Sequence, residues 1–288
     1  MFDIRQFCEE YGFAIEETAY FSTQYQKLNA NKDAYCAFCT QIQAYRDNLF
    51  FDHIPVLEQL RILAETTDIH EYTVEMLYLL CLMPDLKKHY QLEGIPMQYY
   101  DGFADNLKTA AAGCKRTYGV WGTNIAWWLM DFFKLKLFTI GRLQFRRRKF
   151  RKDIGTYAQG TYYIDVHVPG GAPLTPALCA VSYAEAADFF RKHYGMTDIL
   201  FGCHSWLLSP DLENILPAKS NILAFSRSYT ILETRTDPTS SAVSFIFDIP
   251  ALPADTDTLP EDTSLRKAIK KHLKAGNTIN TAFGVMTF

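Results

Sequence analysis

The sequence predicts two domains of different class, an all-helical N-terminal domain followed by a mixed α/β domain. Over residues 1–130 the apolar residues recur at spacings of three and four, the period of helices with one buried side. Near residue 134 the period changes to two, which is typical of strands, and strands then alternate with helices. At 288 residues and 48% hydrophobic content, the chain is long enough for two ordinary domains. We expect a helical domain over 1–130 and an α/β domain, a mixed sheet flanked by helices, over 131–288.

In the first half, apolar residues form stripes that each predict one buried helix face. One stripe runs from Tyr35 to Leu49, a second begins after Pro55, and a third ends where Pro84 is expected to stop the helix. Two further helices are predicted over 101–115 and 121–133.

The second half reads as a mixed sheet with helices between its strands. Strands are predicted over 135–145, 162–168, 199–207, 222–232 and 243–249, and helices over 176–194, 210–216 and 264–274. The basic run over 146–152 is interpreted as an exposed turn between the first two strands, and contact with an anion is the alternative.

Charge and cysteine content exclude some classes of protein. The net charge of −3 argues against nucleic-acid binding, although residues 1–130 carry −7 and the rest +4, which favours an anionic ligand in the second half. The N-terminus lacks a basic segment followed by an apolar run, and the apolar stretches are far shorter than a membrane span. Seven scattered cysteines suit free thiols. We therefore expect a cytoplasmic protein with no nucleic-acid or membrane partner.

The predicted strand over 162–168 carries the most informative side chains. Ile164 and Val166 share one face, whereas Tyr163, Asp165 and His167 share the other. A central strand covered on both sides should be apolar on both faces, so this strand either lines a cleft or has a solvated face. Histidine is the side chain best suited to proton transfer near neutral pH, which makes the first alternative a candidate catalytic site.

A turn with paired glycines follows this strand and leads into the next helix. Its sequence from Val168 to Thr175 is V-P-G-G-A-P-L-T. Gly170 and Gly171 would let the backbone approach a ligand closely, and the first amides of a helix attract phosphate. A plain connection between strand and helix has the same pattern, so both interpretations stay open.

The strand over 199–207 ends in a second polar group. Cys203 and Ser205 share one face, and His204 and Trp206 share the other. A hydroxyl or thiol here would protonate a leaving group or orient an acceptor; the alternative is that small residues pack beneath a helix. Cys36 and Cys39 have C-x-x-C spacing, but a zinc site needs four ligands and no second pair follows, so no metal is expected.

Several of these segments together resemble a known family. The strings G-R-L-Q-F at 141–145, I-D-V-H-V-P-G-G-A-P-L at 164–174 and C-H-S-W-L-L-S-P at 203–210, with a helix between the last two, look like the GNAT-like C-terminal domain of bacterial acyltransferases. Members of that family also carry a helical N-terminal domain of about this size, so the resemblance covers essentially the whole chain.

The resemblance implies an acyl-CoA held where two parallel central strands diverge, and direct attack of an acceptor amine on the thioester. It assigns these strands to 162–168 and 199–207. The CoA-binding positions would be Val168, Gly170, Gly171, Ala172 and Thr175. The common Q/R-x-x-G-x-G/A pyrophosphate loop is replaced here by V-P-G-G-A-P, in which Pro169 and Pro173 have no amide hydrogen to donate.

The sequence therefore predicts an N-acyltransferase that uses acetyl-CoA or a longer acyl-CoA and an amine of a small molecule or peptide. In this hypothesis His167 is the general base, Asp165 tunes its charge, and Ser205 or Cys203 protonates the CoA thiolate. His167 and Ser205 should then point into one continuous cleft. The alternative is a non-catalytic binding or sensor protein that keeps the fold and recognises a small anionic ligand.

Overall fold

The computed structural model describes residues 2–50, 52–237, 241–251, 253 and 255–288. The chain divides into two compact units, Met1–Phe138 and Thr139–Phe288. We call the first the helical unit and the second the sheet unit.

The helical unit consists of helices that pack around one central member. They are α1 (Ile4–Glu10), α2 (Ile15–Ala30), α3 (Lys32–Asp47), α4 (Ile54–Thr67), α5 (Glu71–Leu92), α6 (Met97–Tyr118) and α7 (Ala126–Phe133). Side-chain caps fix some of the starts: Asp3 accepts a hydrogen bond from the Gln6 amide at α1, and Asn31 accepts one from the Ala34 amide at α3.

Helix α5 is the centre of the helical unit. Every residue from Thr73 to Met83 is buried, and α5 packs against α2, α3, α4, α6 and α7. The prediction that Pro84 ends this helix is wrong, because α5 continues to Leu92. Burial on all sides offsets the single backbone hydrogen bond that a proline removes.

The sheet unit holds a mixed sheet with helices between its strands. Its elements are β1 (Leu137–Ile140), on which the boundary between the units falls, β2 (Leu143–Lys149), β3 (Tyr162–His167), α8 (Pro176–Tyr194), β4 (Leu200–Ser205), α9 (Asn221–Ser226), β5 (Thr230–Arg235), α10 (Ser241–Phe247), α11 (Ser264–Lys274) and β6 (Thr281–Thr287). The strand order is β1-β2-β3-β4-β6-β5. Strand β3 is antiparallel to β2 and parallel to β4, so it lies inside the sheet.

The two faces of the sheet are packed differently. On one face the Tyr183 ring of α8 contacts Phe145 and Phe201, and we call this the α8 face. On the other, Tyr163 stacks on Phe150 and meets Phe283 edge-on. Asp165 alternates with Ile164 and so points to this second face, which we call the Asp165 face.

Several predicted elements differ from those observed. The strand predicted over 135–145 is two strands joined at Gly141, whose positive φ of 60° and close approach to Ser182 leave no room for a side chain. Most of the basic run belongs to β2 and not to a turn. The segment over 222–232 begins as α9 before β5 starts, and the predicted strand over 243–249 lies in α10 and the residues after it.

Candidate active site

A buried carboxylate on β3 is the centre of the candidate site. Asp165 is almost completely buried, and its Oδ2 accepts a hydrogen bond from His167 Nε2 at 2.9 Å. The alternation of β3 therefore brings together the two residues that the sequence placed on one face. The His167 side chain remains 27% exposed, so it is held by Asp165 and is still accessible to solvent.

Two arginines of β2 also donate hydrogen bonds to this carboxylate. Arg146 lies directly opposite Asp165 in the antiparallel register, and Arg148 lies opposite Tyr163. Their guanidinium groups donate to Asp165 Oδ2 at 3.0 and 3.3 Å. Sequence reasoning missed both arginines because they stand in a run that reads as an exposed basic turn. Residues 146–149 are all basic, so the run itself carried no alternation; continuing the strand predicted over 135–145 into the run would have placed these two residues on one face.

The charges around Asp165 determine its protonation state. Burial alone would raise the pKa of this carboxyl, but the charge and hydrogen bond of His167, followed by the charges of Arg146 and Arg148, lower it to about 2. Asp165 is therefore ionised at physiological pH. An ionised carboxylate against an imidazole orients the ring and stabilises its protonated form.

Strands β3 and β4 pair side by side and then continue toward the candidate site. Ile164 pairs with Phe201 and Asp165 with Gly202, after which β3 extends to His167 and β4 to Ser205. The absence of a side chain at Gly202 matters, because a Cβ there would lie 2.6 Å from the Tyr163 ring. Parallel partners point to the same face, so His204, two residues beyond Gly202, shares the Asp165 face with His167. The sequence analysis gave His204 no role.

Cys203 and Ser205 lie on the opposite face of the sheet. Both alternate with Gly202 and His204, which puts them on the α8 face. The expectation that His167 and Ser205 point into one continuous cleft is therefore not met, since the two residues lie on opposite faces of the sheet. The reason is the register between the strands. Because Asp165 pairs with Gly202, the odd-numbered residues of β3 share a face with the even-numbered residues of β4, so Ser205 lies on the face opposite His167.

The environments of Cys203 and Ser205 differ. Cys203 is buried, and burial followed by the charge of Asp165 raises the pKa of its thiol, so the thiol is neutral. Ser205 is partly exposed, and its hydroxyl oxygen accepts a hydrogen bond from the Leu207 amide at 3.1 Å. Of the two, Ser205 is the more accessible to a ligand.

The glycine turn after β3 is exposed and is held by an arginine. Gly170, Gly171 and Ala172 are exposed, and Gly171 has a positive φ of 94°. Arg142 donates to the Ala172 carbonyl at 2.7 Å and to the Pro173 carbonyl at 3.1 Å. These bonds turn carbonyls toward Arg142 and fix the path of the turn. The sequence offered no signal for this contact, which joins residues 30 positions apart.

The turn ends at the first residues of a long helix. Thr175 caps α8 by accepting a hydrogen bond from the Leu178 amide, and Pro176 occupies the first turn. Val168 and Thr175 are partly buried at the two ends of the turn. The exposed glycines therefore lie several residues before the first turn of the 19-residue helix α8. Pro169 and Pro173 reduce the number of amides in the turn that can donate to a ligand.

The described residues contain neither a cluster of metal-ligand side chains nor a helix that could span a membrane. Across the described parts of the chain, no group of three or more His, Cys, Asp or Glu side chains is arranged to hold a metal ion. Within the same residues, no helix has the length and apolar character that a bilayer crossing requires.

Comparison with known proteins identifies the class to which this fold and site belong. Residues 2–135 match the model of the N-acyltransferase N-terminal domain, and residues 137–286 match that of the GNAT-like C-terminal domain. The chain belongs to this family of GNAT-like acyltransferases, as its motifs predicted, and it is an acyltransferase.

Solved structures show the same fold. An acyltransferase in complex with decanoyl-CoA and teicoplanin is 23% identical, with a TM-score of 0.74 over 99% of this chain and 87% of that one. A mutant acyltransferase in complex with octanoyl-CoA is 21% identical, with a TM-score of 0.75 over 99% and 87%. An acyltransferase in complex with CoA and a 10C-teicoplanin is 22% identical, with a TM-score of 0.66 over 99% of both chains. No curated protein gave a significant match.

Proposed function

We propose that this protein transfers an acyl group from an acyl-CoA to the amine of a small molecule or peptide. The observation that carries the proposal is the Asp165–His167 pair at the end of β3, where β3 and β4 extend beyond their parallel pairing. Structures of the same fold hold decanoyl-CoA, octanoyl-CoA and CoA, which supports an acyl-CoA as the donor.

The reaction forms a C–N bond and breaks a C–S bond. The amine nitrogen attacks the thioester carbonyl carbon, and the CoA sulfur leaves as a thiolate. The acceptor ammonium loses two protons in all, one before attack and one after the C–N bond forms. The thiolate takes up one proton, and the second proton from nitrogen replaces it, so one proton is released overall. His167 accepts the first, and the ionised Asp165 stabilises the imidazolium that forms. Arg146 and Arg148 keep Asp165 ionised, so it stabilises the charge without taking up the proton itself.

The two faces of the sheet suit the two proton transfers. His167 points to the Asp165 face, and Ser205 points to the α8 face, on the same side of the sheet as the helix that follows the glycine turn. An acceptor amine approaching from the Asp165 face would meet His167, and a thiolate leaving on the α8 face would meet Ser205. Cys203 shares that face but is buried, so it is the weaker candidate for the proton donor.

The donor binds along the turn and the start of α8 in this proposal. The backbone of Val168, Gly170, Gly171 and Ala172 approaches the pyrophosphate, and Thr175 marks the helix start that favours negative charge. The acceptor is an amine-bearing compound, and teicoplanin, present in a structure of the same fold, supports one of peptide character. The seven free cysteines support a reducing location such as the cytoplasm.

The test is release of CoA thiol from acetyl-CoA and decanoyl-CoA in the presence of a panel of amines that includes amino acids, aminosugars, peptides and a glycopeptide. We expect turnover with at least one amine, and a fall of about 10²–10⁴-fold in kcat for His167→Gln. His272→Gln is the matched control, because His272 is a partly exposed residue of α11 whose ring bonds locally to the Thr278 carbonyl.

Two results would separate this proposal from its alternatives. Full activity in His167→Gln would remove the histidine from the mechanism. Saturable binding of acyl-CoA with no thiol release from any amine would favour the non-catalytic binding protein.

A further inference from the structure

The sheet unit contains an apolar cavity that the mechanism above does not use. It measures about 260 Å³ and lies on the α8 face of the sheet. Its walls come from the first half of α8, from α9 and nearby Ser228, and from the end of β6. The lining includes Leu174, Cys179, Tyr183, Phe225, Met286 and Phe288.

The polar groups in this wall are already bonded within the protein. The Tyr183 hydroxyl pairs with the Tyr229 hydroxyl at 2.7 Å, and Ser228 donates to the Phe225 carbonyl at 2.7 Å. Cys179 is buried, and burial raises the pKa of its thiol, so it is neutral. A cavity with such walls offers carbon surface to its occupant, and an apolar group gains most from entering it.

Residues of the proposed donor site form part of the cavity wall. Leu174 and Pro176, which line it, belong to the end of the glycine turn and the start of α8. Another part of the wall contacts the strands. The Tyr183 hydroxyl bonds to that of Tyr229, Tyr229 packs over Gly284, and Gly284 pairs with Cys203 of β4. The cavity therefore lies on the side of the sheet where the thioester and its sulfur are placed by the proposed function.

Its size selects the part of the donor that fits. Pockets that enclose a whole drug-sized ligand measure about 300–1,000 Å³. At about 260 Å³, this cavity is too small for CoA and suits a single slim segment. The pantetheine arm carries two amides that need hydrogen-bond partners, whereas a saturated acyl chain needs none.

We propose that this cavity is the acyl-chain subsite and that the natural donor carries a medium-length saturated acyl group in preference to acetyl. The inference rests on the proposed function, because it places the thioester beside the cavity. Ala180 and Ala224 lie at the partly open rim, so a larger side chain at either position enters the cavity without overfilling the core.

Calorimetric titration of the full chain with CoA and with acetyl-, hexanoyl-, octanoyl- and decanoyl-CoA tests this. We expect Kd to fall by roughly fourfold for each methylene that enters the cavity. Ala180→Phe should bind CoA and acetyl-CoA like the wild type and should lose at least about tenfold in affinity for decanoyl-CoA. Ala224→Phe, from the opposite wall, should do the same.

The control is Ala184→Phe, the same substitution about one turn further along α8 at an exposed position outside the lining. It should leave every affinity unchanged. Equal affinity of the wild type for acetyl- and decanoyl-CoA would overturn the subsite while leaving the acyltransferase proposal in place. A loss of CoA and acetyl-CoA binding in Ala180→Phe would assign the cavity to the pantetheine arm instead. Failure of the wild type to bind any member of the series would overturn the proposed donor itself.

Discussion

The two units of this protein bury carboxyl groups in opposite ways. In the sheet unit, Asp165 is surrounded by one histidine and two arginines, and its pKa falls to about 2. In the helical unit, Glu17 and Glu75 are also buried, but the loss of solvent dominates and raises the pKa of each to about 7. The same kind of side chain is fully charged at neutral pH in one unit and about half protonated in the other.

The difference lies in what the neighbouring elements supply. One Glu17 oxygen accepts a bond from the Ala14 amide, and the other has no partner among the described residues. Glu75 Oε1 lies 3.7 Å from Nε of Arg61, whose side chain is half exposed. Asp165 instead faces a strand whose alternate residues are arginines. A buried carboxylate stays ionised when opposite charges and hydrogen bonds replace the water it has lost. Without such partners, its ionised form destabilises the fold.

Removal of the compensated charge should have the largest effect. Asp165→Ala removes the buried carboxylate to which both Arg146 and Arg148 donate, and we expect a loss of about 3–5 kcal/mol in the free energy of unfolding. The measurement is urea unfolding of the full chain at pH 7. Asp188→Ala is the control, because Asp188 is an exposed carboxylate paired with Arg191, and it should change the free energy by less than about 1 kcal/mol. A similar small effect in both variants would mean that the shell around Asp165 contributes little.

The helical unit should respond to pH in the opposite direction. Because the folded pKa of Glu75 is raised, its contribution is most favourable below its unfolded pKa and is lost as pH rises through 7. Asp165, with a lowered pKa, contributes above about pH 4 and loses this contribution as pH falls toward 2. We therefore expect Asp165 of the sheet unit to lower the stability at acid pH, and Glu75 of the helical unit to lower it at alkaline pH.

Glu75→Gln tests the alkaline limb. The shift from 4.5 to about 7 corresponds to about 3 kcal/mol at pH 8.5, so the variant should be more stable there by up to that amount and by less than about 1 kcal/mol at pH 5. Urea unfolding at the two pH values gives the difference. Glu65→Gln, at an exposed position of α4, should show no such dependence on pH. An equal gain at both pH values would contradict the titration of Glu75.

How much of this was predictable depends on whether a feature is local in the sequence. The shared face of Asp165 and His167 follows from the alternation of one strand, and the structure shows the two side chains in contact. The bonding of Asp165 to Arg146 and Arg148 depends on the register between β2 and β3, which no local pattern contains. A second register, between β3 and β4, separates Ser205 from His167, and the sequence analysis did not foresee this separation.

The predicted type of secondary structure was wrong where the residue composition and the spacing of the buried residues favour different elements. The segment assigned to α10 is rich in aromatic and β-branched residues, which favour strands. Its buried residues are Ala242, Val243, Ile246 and Phe247, with Phe245 exposed, and this is the period of a helix. Tertiary packing decided the outcome, as it did for Pro84 in α5. The apolar residues alone did not distinguish helix from strand, because Val243, Phe245 and Phe247 also alternate with the period of a strand.

The smallest expected effect tests how many cations the charged carboxylate requires. Arg148 is the more exposed of the two arginines and makes the longer contact, at 3.3 Å, so Arg148→Met should cost only about 1 kcal/mol and should raise the pKa of Asp165. Nuclear magnetic resonance titration of the Asp165 carboxyl, with urea unfolding at pH 7, measures both. Lys149→Met is the control, because Lys149 is the next residue of β2, points to the opposite face and lies over the Tyr162 ring.

If Arg148→Met were as costly as Asp165→Ala, both arginines would be indispensable, and the carboxylate would depend on the complete shell. If the effect is small, Arg146 and His167 suffice to keep Asp165 ionised, and what separates it from Glu75 is two close partners in place of one distant one.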